Sequence, residues 1–371
     1  MERNRKMAGS TFGTHFKIMT WGESHGKGVG VVVDGCPAGL ELSEQDIQIF
    51  LDRRKPGKSR YATPRKEEDC VEIFSGVFEG KTTGTPIAMA VFNKTQRSKD
   101  YSEIAKMYRP GHADLTYDLK YGFRDYRGGG RSSGRETIGR VAAGAIAVKI
   151  LNQLGITFTT YTKSIGPVTI ETFCKDEILN NALYMPDAKA AQQAENYLEK
   201  CMKEGDSSGG VIECVIHGLM PGIGEPVFEK LSSNLAKAIC SIGAVKGFEI
   251  GDGMMAAKAK GSENNDAYHL GNDGRLEKIT NHSGGILGGI SDGSDVIFRA
   301  AVKPTPSIFS SQRTVTTDGE EAEINIKGRH DPIIVPRAVV VAESMAALTV
   351  LDLMMQSMTS RMEYLVRFFQ S

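Results

Sequence analysis

Residues 127–135, with the sequence RGGGRSSGR, combine the groups that hold a small anion. Their glycines let backbone N–H groups approach a ligand closely, and Ser132 and Ser133 add hydroxyl donors. Arg131 and Arg135 can each grip a phosphate or carboxylate through two hydrogen bonds. A helix predicted to follow directly would point its positive end at the same place. The Gly-Lys-Ser/Thr ending of a P-loop is missing from the segment, so the pattern predicts an anion site of another kind.

A second basic segment, RRKPGKSRYATPRK at 53–66, contains seven Lys or Arg and no acid. Arg53, Arg54 and Lys55 could simply complement the dipole of a predicted helix that ends there. That explanation does not cover the four cations that follow. A basic loop for a polyanionic small molecule explains them better, and we expect it to be mobile without ligand and ordered with it.

Two of the seven histidines, His25 and His112, lie in glycine-flanked turns, where an imidazole suits proton transfer near neutral pH. Taken singly, either is more often an ordinary surface or core residue than a catalytic one. The histidines show no HExxH-like spacing and the six cysteines form no CxxC pair. We therefore predict no metal site and interpret the cysteines as reduced core thiols.

The elements that must position these residues mix helices and strands without strict βαβ alternation, which predicts an α+β layered fold. Strands are predicted at 29–33, 71–78, 86–92, 156–162, 211–217 and 296–302. Helices are predicted from Ser43, with Asp46 in a capping-box position, and at 135–154, 226–240 and 337–357. In the helix at 135–154 an apolar stripe comprises Ile138, Val141, Ala142, Ala145, Val148 and Leu151, with Gly155 as C-cap. Residues 94–102 and 261–283 are polar and are predicted to be mobile loops.

The composition limits the function classes. Lys plus Arg and Asp plus Glu are both 45, so the net charge is zero, which argues against a general nucleic-acid binder. The apolar stretch 338–355 is interrupted by Glu343 and Asp352 and predicts a buried helix rather than a membrane span. The start resembles neither a signal peptide nor a span, so we expect a cytoplasmic protein. Residues 1–6 are interpreted as an extension before Met7, and 1–371 as a single domain.

Four motifs together resemble the chorismate synthase family: GESHGKG at 22–28, RPGHAD at 109–114, RGGGRSSGRET at 127–137 and GRHDP at 328–332. The resemblance continues through FEGKTTGTPI at 78–87, GAVKGFEIGDG at 243–253, GGILGGISDG at 284–293, KPTPS at 303–307 and VPRA at 335–338. It implies an α+β sandwich and a homotetramer with FMN in each subunit. It also implies 1,4-anti elimination of phosphate from 5-enolpyruvylshikimate 3-phosphate, giving chorismate. Reduced FMN is required although there is no net redox change.

The resemblance also implies roles for individual residues. His25 matches the histidine that protonates the leaving phosphate, and His112 the one near the flavin pyrimidine that manages its reduced charge. Asp331 matches the carboxylate near flavin N5 that helps relay the proton removed from the substrate ring. Arg54, Arg60 and Arg135 match arginines around the substrate phosphate and carboxylates, or around a pyridine nucleotide. The matches to flavin contacts are Arg131, Ser132, Ser133, Gly243, Ala244, Gly288, Lys303, Pro304, Thr305, Pro306, Ser307 and Arg329.

The sequence departs from the family pattern at two positions. Gly134 stands where Ala is usual, a small change that should be tolerated. Gly243 stands where Asn or Gln is usual, so a side-chain amide contact to the flavin is lost there. His330, beside Asp331, is at a variable position and is assigned no role.

Two other functions can be formulated from the residues alone. One is a phosphotransferase that uses RGGGRSSGR as its nucleotide loop; the missing P-loop lysine and the lack of an evident carboxylate pair for magnesium count against it. The other is an RNA-binding protein, which zero net charge and few aromatic residues disfavour. For the flavin, either NADPH or an external flavin reductase can be the reductant; no added domain is visible, which favours external reduction.

Overall fold

The structure is a computed structural model that describes residues 9–57, 61, 67–93, 104–272, 274, 276–326 and 331–370. Its helices are α1 Glu44–Arg54, α2 Asp114–Tyr121, α3 Thr137–Gln153, α4 Glu177–Asn180, α5 Ala188–Lys203, α6 Leu231–Cys240, α7 Gly261–Asn264, α8 Val335–Ser357 and α9 Met362–Gln370. Its first strands are β1 Thr11–Phe12, β2 Lys17–Gly22, β3 Gly28–Asp34, β4 Val71–Ile73, β5 Val77–Phe78, β6 Lys81–Thr82, β7 Ile87–Phe92, β8 Thr157–Ile165 and β9 Val168–Thr169. The later strands are β10 Gly210–His217, β11 Val245–Ile250, β12 Tyr268–Leu270, β13 Leu276–Lys278, β14 Ile286–Leu287, β15 Ile290–Ser291, β16 Val296–Val302, β17 Gln312–Val315 and β18 Glu321–Ile324.

Two five-stranded antiparallel sheets form the outer layers of the molecule. The first has the order β1-β2-β3-β7-β4 and the second the order β11-β16-β10-β8-β9. Helix α3 packs on the first sheet, α8 packs on the second, and the two helices pack against each other. Helix α1 lies against α3 and α8, and α6 lies against α8 and β11. The predicted α+β layered fold is therefore confirmed as a sandwich of two sheets around a double helical layer.

Small residues let these layers approach closely. The predicted apolar stripe of α3 is buried, and so are most of the other faces of this helix. A Cβ added at Gly144 would lie 2.2 Å from the Cβ of Ser344 on α8. A Cβ at Gly139 would lie 2.9 Å from the carbonyl oxygen of Gly30 in β3. Because α3 is in contact on both sides, its small residues set the spacing of the whole sandwich.

We predict that Gly144→Ala destabilises the fold by about 1–3 kcal/mol, because the added methyl group forces α3 away from α8. This loss should outweigh the roughly 1 kcal/mol that alanine gains over glycine in a helix. The matched control is Gly134→Ala, where a Cβ meets nothing within 4 Å. Denaturant unfolding measures both changes. Equal stabilities for the two variants would contradict the close contact at Gly144.

Helix α8 is long and apolar enough to cross a membrane, but 83% of its most apolar stretch is buried in the protein. Both acids that interrupt the apolar run have partners. Glu343 pairs with Arg53 at 2.7 Å. Asp352 accepts hydrogen bonds from the backbone N–H groups of residues 14, 15 and 16. The prediction of a buried helix is confirmed.

The predicted elements that carry the core agree with the structure within a few residues. These are β3, α1, β7, α3, β8, β10, β16 and α8. The capping box at α1 is present, with the Asp46 carboxylate accepting from the Ser43 N–H at 2.8 Å. Gly155 adopts φ 77° after α3, and the N–H of Ile156 donates to the carbonyl of Leu151, as in a Schellman motif.

Four predictions need correction. Residues 71–78 form two short strands, β4 and β5, because the chain turns at Gly76 with φ 80°. The helix predicted at 226–240 begins only at Leu231, since a turn closed by the Glu225 N–H on the Glu229 carbonyl precedes it. Segment 261–283 contains α7 and the β12–β13 hairpin instead of one loop. All six thiols are free, but Cys70, Cys174 and Cys240 are exposed rather than in the core. Residues 1–8 and 94–103 lie outside the described part of the chain.

Candidate active site

The glycine loop, residues 127–133, lies between His25 and His112. A Cβ on Gly128, which has φ 66°, would lie 2.2 Å from His25 Cε1. A Cβ on Gly129, which has φ 90°, would lie 3.0 Å from His112 Cε1. Glycine is required at both positions by the left-handed backbone and by the imidazole rings. The two histidines predicted to be catalytic therefore both pack against the same loop.

His25 is 7% exposed in the turn between β2 and β3. The Gly26 N–H closes this turn on the Glu23 carbonyl at 3.2 Å. The Asn93 side-chain amide donates to the carbonyl oxygens of Glu23 and Gly26 at 3.1 and 2.9 Å. Ser24 Oγ lies 3.2 Å from His25 Nδ1. The histidine is therefore fixed by a turn that is anchored to the end of β7.

His112 lies in the turn before α2, close to a buried ion pair. Arg109 binds Asp114 through two side-chain hydrogen bonds, both of 2.7 Å. His112 Nδ1 lies 2.9 Å from Asp114 Oδ1. Burial raises the pKa of the Asp114 carboxyl, but hydrogen bonds from Arg109 and His112 outweigh it and hold that pKa well below its usual range. The carboxylate therefore stays charged beside the imidazole.

The predicted flavin triplet shapes the glycine loop itself. Arg131 reaches back to β2, where it donates to Thr20 Oγ1 at 2.7 Å and to the Gly22 carbonyl at 3.2 Å. Ser132 Oγ donates to the Gly129 carbonyl at 2.7 Å. Ser133 Oγ accepts from the Arg135 N–H at 3.3 Å. The segment is held as two short 3₁₀ turns, Gly130–Ser132 and Gly134–Glu136, which lead into α3.

The predicted flavin contacts at 243–244 and 303–307 adjoin this loop. Lys303 Nζ donates to the Gly111 carbonyl at 2.7 Å, next to His112. The Lys303 N–H donates to the carbonyl of Ala244, which has φ 72°, a strained value for a residue other than glycine. Burial, and then the charge of Lys246, lower the pKa of the Lys303 ammonium. An anion bound here would relieve the repulsion between the two lysines.

A buried cluster of arginines and acids lies below the loop. Arg54 is 1% exposed and donates to Asp69 Oδ2 at 2.6 Å and to the Gly134 carbonyl at 3.2 Å. Arg135 donates to Asp69 Oδ1 at 3.0 Å and also pairs with Glu67. Burial lowers the pKa of Arg54, and the charge of Asp69 opposes that effect. Arg54 and Arg135, both predicted to bind anions, are thus held together by the carboxylate of Asp69.

Asp331 reaches this cluster through Arg337. The Arg337 guanidinium donates to Asp331 Oδ2 at 2.5 Å and to the Arg54 carbonyl at 3.1 Å. Asp331 also lines a cavity of about 90 Å³ together with Ser307, another predicted site residue. The rest of the lining is Met202, Asp206, Ser207, Ile308, Phe309 and Pro332.

The cations at the end of α1 have specific partners. Arg53 pairs with Glu343, Arg54 with Asp69, and Lys55 with Asp52. The explanation that they merely complement the helix dipole is therefore insufficient. The remainder of the 53–66 loop, including Arg60, lies outside the described residues apart from positions 56, 57 and 61, so its ordering by ligand stays a prediction.

Within the described part of the chain, Gly288 is apart from these contacts. It lies on the turn between β14 and β15, with φ 61° and open space where a Cβ would be, and this hairpin packs on the start of α6. Arg329 and His330 lie outside the described residues. The described residues contain no group of His, Cys, Asp and Glu side chains that could hold a metal ion.

Sequence reasoning assigned no role to Asp69, Glu67, Asp114 or Arg337. A signal existed for the first two, because the acids at 67–69 directly follow the basic segment 53–66. Asp114 lies inside the RPGHAD motif two residues from His112. Such spacing alone does not show a contact, since it also occurs in exposed turns.

The residues present fit a flavin that carries a phosphate. The exposed Gly134, where an added Cβ would meet nothing within 4 Å, leaves room for a ligand next to the loop, and Lys303 supplies a cation beside the His112 turn. Thr305 Oγ1, in the same KPTPS segment as Lys303, is buried and has no hydrogen-bond partner within the described residues, so a donor and acceptor is available to a ligand.

Known proteins resemble this chain over nearly its whole length. The model of the chorismate synthase family matches residues 16–355. The chain is 69% identical to the chorismate synthase of Agathobacter rectalis over 366 residues, 98% of this chain and 100% of the relative. It is 54% identical to that of Methanosarcina mazei over 356 residues, 95% of this chain and 97% of the relative. A crystal structure of a chorismate synthase superposes with a TM-score of 0.76 at 30% identity, covering 97% of each chain. The chain therefore belongs to the chorismate synthase family.

Proposed function

We propose that His25, His112 and Asp331 carry the chemistry of this lyase, which eliminates phosphate from 5-enolpyruvylshikimate 3-phosphate to give chorismate in the shikimate pathway. One observation carries the assignment of the site. The glycine loop contacts the rings of both histidines, so the anion-binding segment and the two candidate proton carriers share one place. A phosphotransferase or RNA-binding role is set aside because the family is shown over nearly the whole chain.

The arginines suit the charge of the substrate, which carries one phosphate and two carboxylates. Arg54 and Arg135 are proposed to hold these groups, or those of a pyridine nucleotide, together with Arg60 in the adjoining loop. Both described arginines are held by Asp69 in the absence of ligand. An arriving dianion would meet guanidinium groups whose orientation is already fixed, which lowers the ordering cost of binding.

We assign reduced FMN to the surface formed by the glycine loop, Lys303–Ser307 and Ala244, with Gly243 beside it. Arg329, outside the described residues, and Gly288, on the turn between β14 and β15, stay flavin contacts predicted from the family resemblance alone. When bound, reduced FMN supplies electron density that eases departure of phosphate from the substrate. Lys303 and Arg131 would balance the negative charge of the cofactor. The missing amide at Gly243 leaves that contact to the backbone.

The proposed proton roles are those that the family resemblance implies, and the positions of the side chains support them. His25, buried at the glycine loop, donates to the leaving phosphate and so avoids release of a dianion into a closed site. Asp331 takes up the proton removed from the substrate ring. An ion pair with Arg337 holds its carboxylate in place.

The assembly and location of the enzyme are further parts of the proposal. Exposed apolar side chains on α9 and on the β12–β13 hairpin support subunit contacts in a homotetramer; they are Met362, Phe368, Phe369, Leu270 and Leu276. A continuous core that includes residues of both sheets supports a single domain over 1–371. We assign the enzyme to the cytoplasm, because its most apolar helix is buried in the core.

An anaerobic assay with purified protein, substrate and FMN tests the function. Phosphate release should require reduced FMN, and comparison of NADPH with dithionite distinguishes an intrinsic flavin reductase activity from external reduction. We expect turnover with dithionite and little with NADPH alone. Absence of turnover with both reductants, with the flavin fully reduced, would refute the proposed cofactor and reaction together.

Arg131→Ala is predicted to weaken FMN binding by about 1.5–3 kcal/mol, because one charge-assisted contact to the cofactor is lost. The change also removes the hydrogen bonds that tie the loop to Thr20 and Gly22, which acts in the same direction. Arg127→Ala is the matched control, since that arginine is in the same loop but is exposed and pairs with Asp125. Flavin fluorescence titration measures both. Equal affinities in wild type and Arg131→Ala would remove Arg131 from the binding site.

A further inference from the structure

Asp114, the first residue of α2, closes the turn that carries His112. Its Oδ2 accepts from the Arg109 backbone N–H at 3.1 Å and from Arg109 Nε at 2.7 Å. Its Oδ1 accepts from Arg109 Nη2 at 2.7 Å and lies 2.9 Å from His112 Nδ1. The carboxylate is 3% exposed. One buried acid therefore contacts both the backbone of the turn and the imidazole ring.

The charge of Asp114 decides which nitrogen of His112 carries the proton. A carboxylate can only accept hydrogen bonds. If Nδ1 were unprotonated, two lone pairs would face each other at 2.9 Å, and the negative oxygen would repel the ring nitrogen. Arg109 Nη2 is also 3.1 Å from Nδ1, but it already donates to Asp114 Oδ1 at the shorter distance of 2.7 Å. With a proton on Nδ1, the imidazole donates a hydrogen bond to the carboxylate.

We propose that Asp114 is a positioning residue for the reaction: it holds His112 in the tautomer with Nδ1 protonated and turns Nε2 towards the glycine loop. A Cβ at Gly129 would lie 3.1 Å from Nε2, so that nitrogen faces the surface assigned to the flavin. Nε2 is then the atom that takes up and returns a proton, while Asp114 stabilises the resulting imidazolium. This inference rests on the proposed function, in which His112 manages the charge of the reduced flavin.

Asp114→Asn should move the proton of the neutral His112 ring from Nδ1 to Nε2 without changing the size of the side chain at position 114. The position of Oδ2 receives two donors from Arg109 and that of Oδ1 receives one, so the amide oxygen is expected at Oδ2, at the cost of the Arg109 Nη2 hydrogen bond. The amide nitrogen then occupies the position of Oδ1 and donates to His112 Nδ1. The ring is forced into the Nε2-protonated tautomer, which is the wrong one for accepting a proton at the loop.

The test compares Asp114→Asn with Asp295→Asn, a control on the second sheet whose carboxylate lies 2.9 Å from Nδ1 of another histidine, His217. Turnover is measured anaerobically with dithionite-reduced FMN, and the absorbance of the bound reduced flavin is recorded in the same samples. We expect Asp114→Asn to lower kcat about 10²-fold or more with little change in KM, and to alter the flavin absorbance. Asp295→Asn should leave both unchanged. A loss confined to KM, or an unaltered spectrum, would overturn the proposal.

The double variant His112→Ala with Asp114→Asn separates positioning from general support of the fold. If Asp114 acts through His112, the double variant has the same kcat as His112→Ala alone. Multiplying losses would mean that Asp114 acts elsewhere. Full activity of His112→Ala itself would instead refute the role proposed for His112, so the two failures are distinguishable.

A measurement on the wild-type protein does not depend on any variant folding. In the holoenzyme labelled with ¹⁵N-histidine, the ring-nitrogen shifts of His112 report its tautomer. We expect a protonated Nδ1. An unprotonated Nδ1 would overturn the inference.

Discussion

His25→Ala should lower turnover about 10²–10⁴-fold, the usual contribution of a positioned general acid. The imidazole is 7% exposed and lies against Gly128, so solvent has little access with which to replace it as proton donor. Flavin affinity should stay nearly intact, because the cofactor is assigned to the glycine loop, Lys303–Ser307 and Ala244 rather than to His25. Anaerobic turnover with dithionite and a flavin titration on the same variant measure the two effects.

A matched control for this prediction is His217→Ala, a histidine on the second sheet that pairs with Asp295 and Thr159. It should retain wild-type turnover. Full turnover of His25→Ala would mean that the leaving-group role is wrong, and a substrate-binding arginine would become the acid. If His25→Ala and His112→Ala both lost flavin equally and nothing else, the histidines would be supports of the pocket. The chemistry would then fall to Asp331 and the cofactor.

The layered core was largely predictable from sequence because its signals are local. Strands β3, β10 and β16 are buried on one or both faces, and α8 is a long apolar run. One correction involves a distant contact as well as a local turn. At the start of helix α6 the Leu231 N–H bonds the Gly289 carbonyl, a partner nearly sixty residues away. Local pattern does not contain that information.

Some residues of the candidate site could likewise be predicted from local sequence, whereas their distant partners could not. His25, His112 and Arg131 could be predicted as site residues because they lie in glycine-containing motifs that resemble the family. The partners that fix the arginines were missed, since Asp69 meets Arg54 and Arg135 only after the chain returns across α1 and α3. The net charge of zero gives no indication of the buried cluster of arginines and acids, because the acids and bases cancel in the summed charge.

Asp69→Ala is expected to destabilise the protein by about 3–5 kcal/mol, because it leaves a buried guanidinium uncompensated. Arg54 is 1% exposed, and Asp69 is its bound carboxylate partner at 2.6 Å, whereas Arg135 keeps its pair with Glu67. The loss should therefore come mainly from Arg54, which also anchors the Gly134 carbonyl at the start of the helix that follows the loop. Denaturant unfolding measures the change.

Two further variants test the cause. Asp125→Ala breaks an Asp–Arg pair whose side chains are 30% and 47% exposed, and it should cost far less because solvent screens that pair. Combining Asp69→Leu with Arg54→Met replaces the buried pair by apolar groups and should recover most of the stability lost in Asp69→Ala, since no buried charge is left without a partner. Substrate affinity should not recover with it, because the proposed anion ligand Arg54 is gone. Equal destabilisation by Asp69→Ala and by the double replacement would show that shape and backbone strain at position 69, which has φ 49°, matter more than charge.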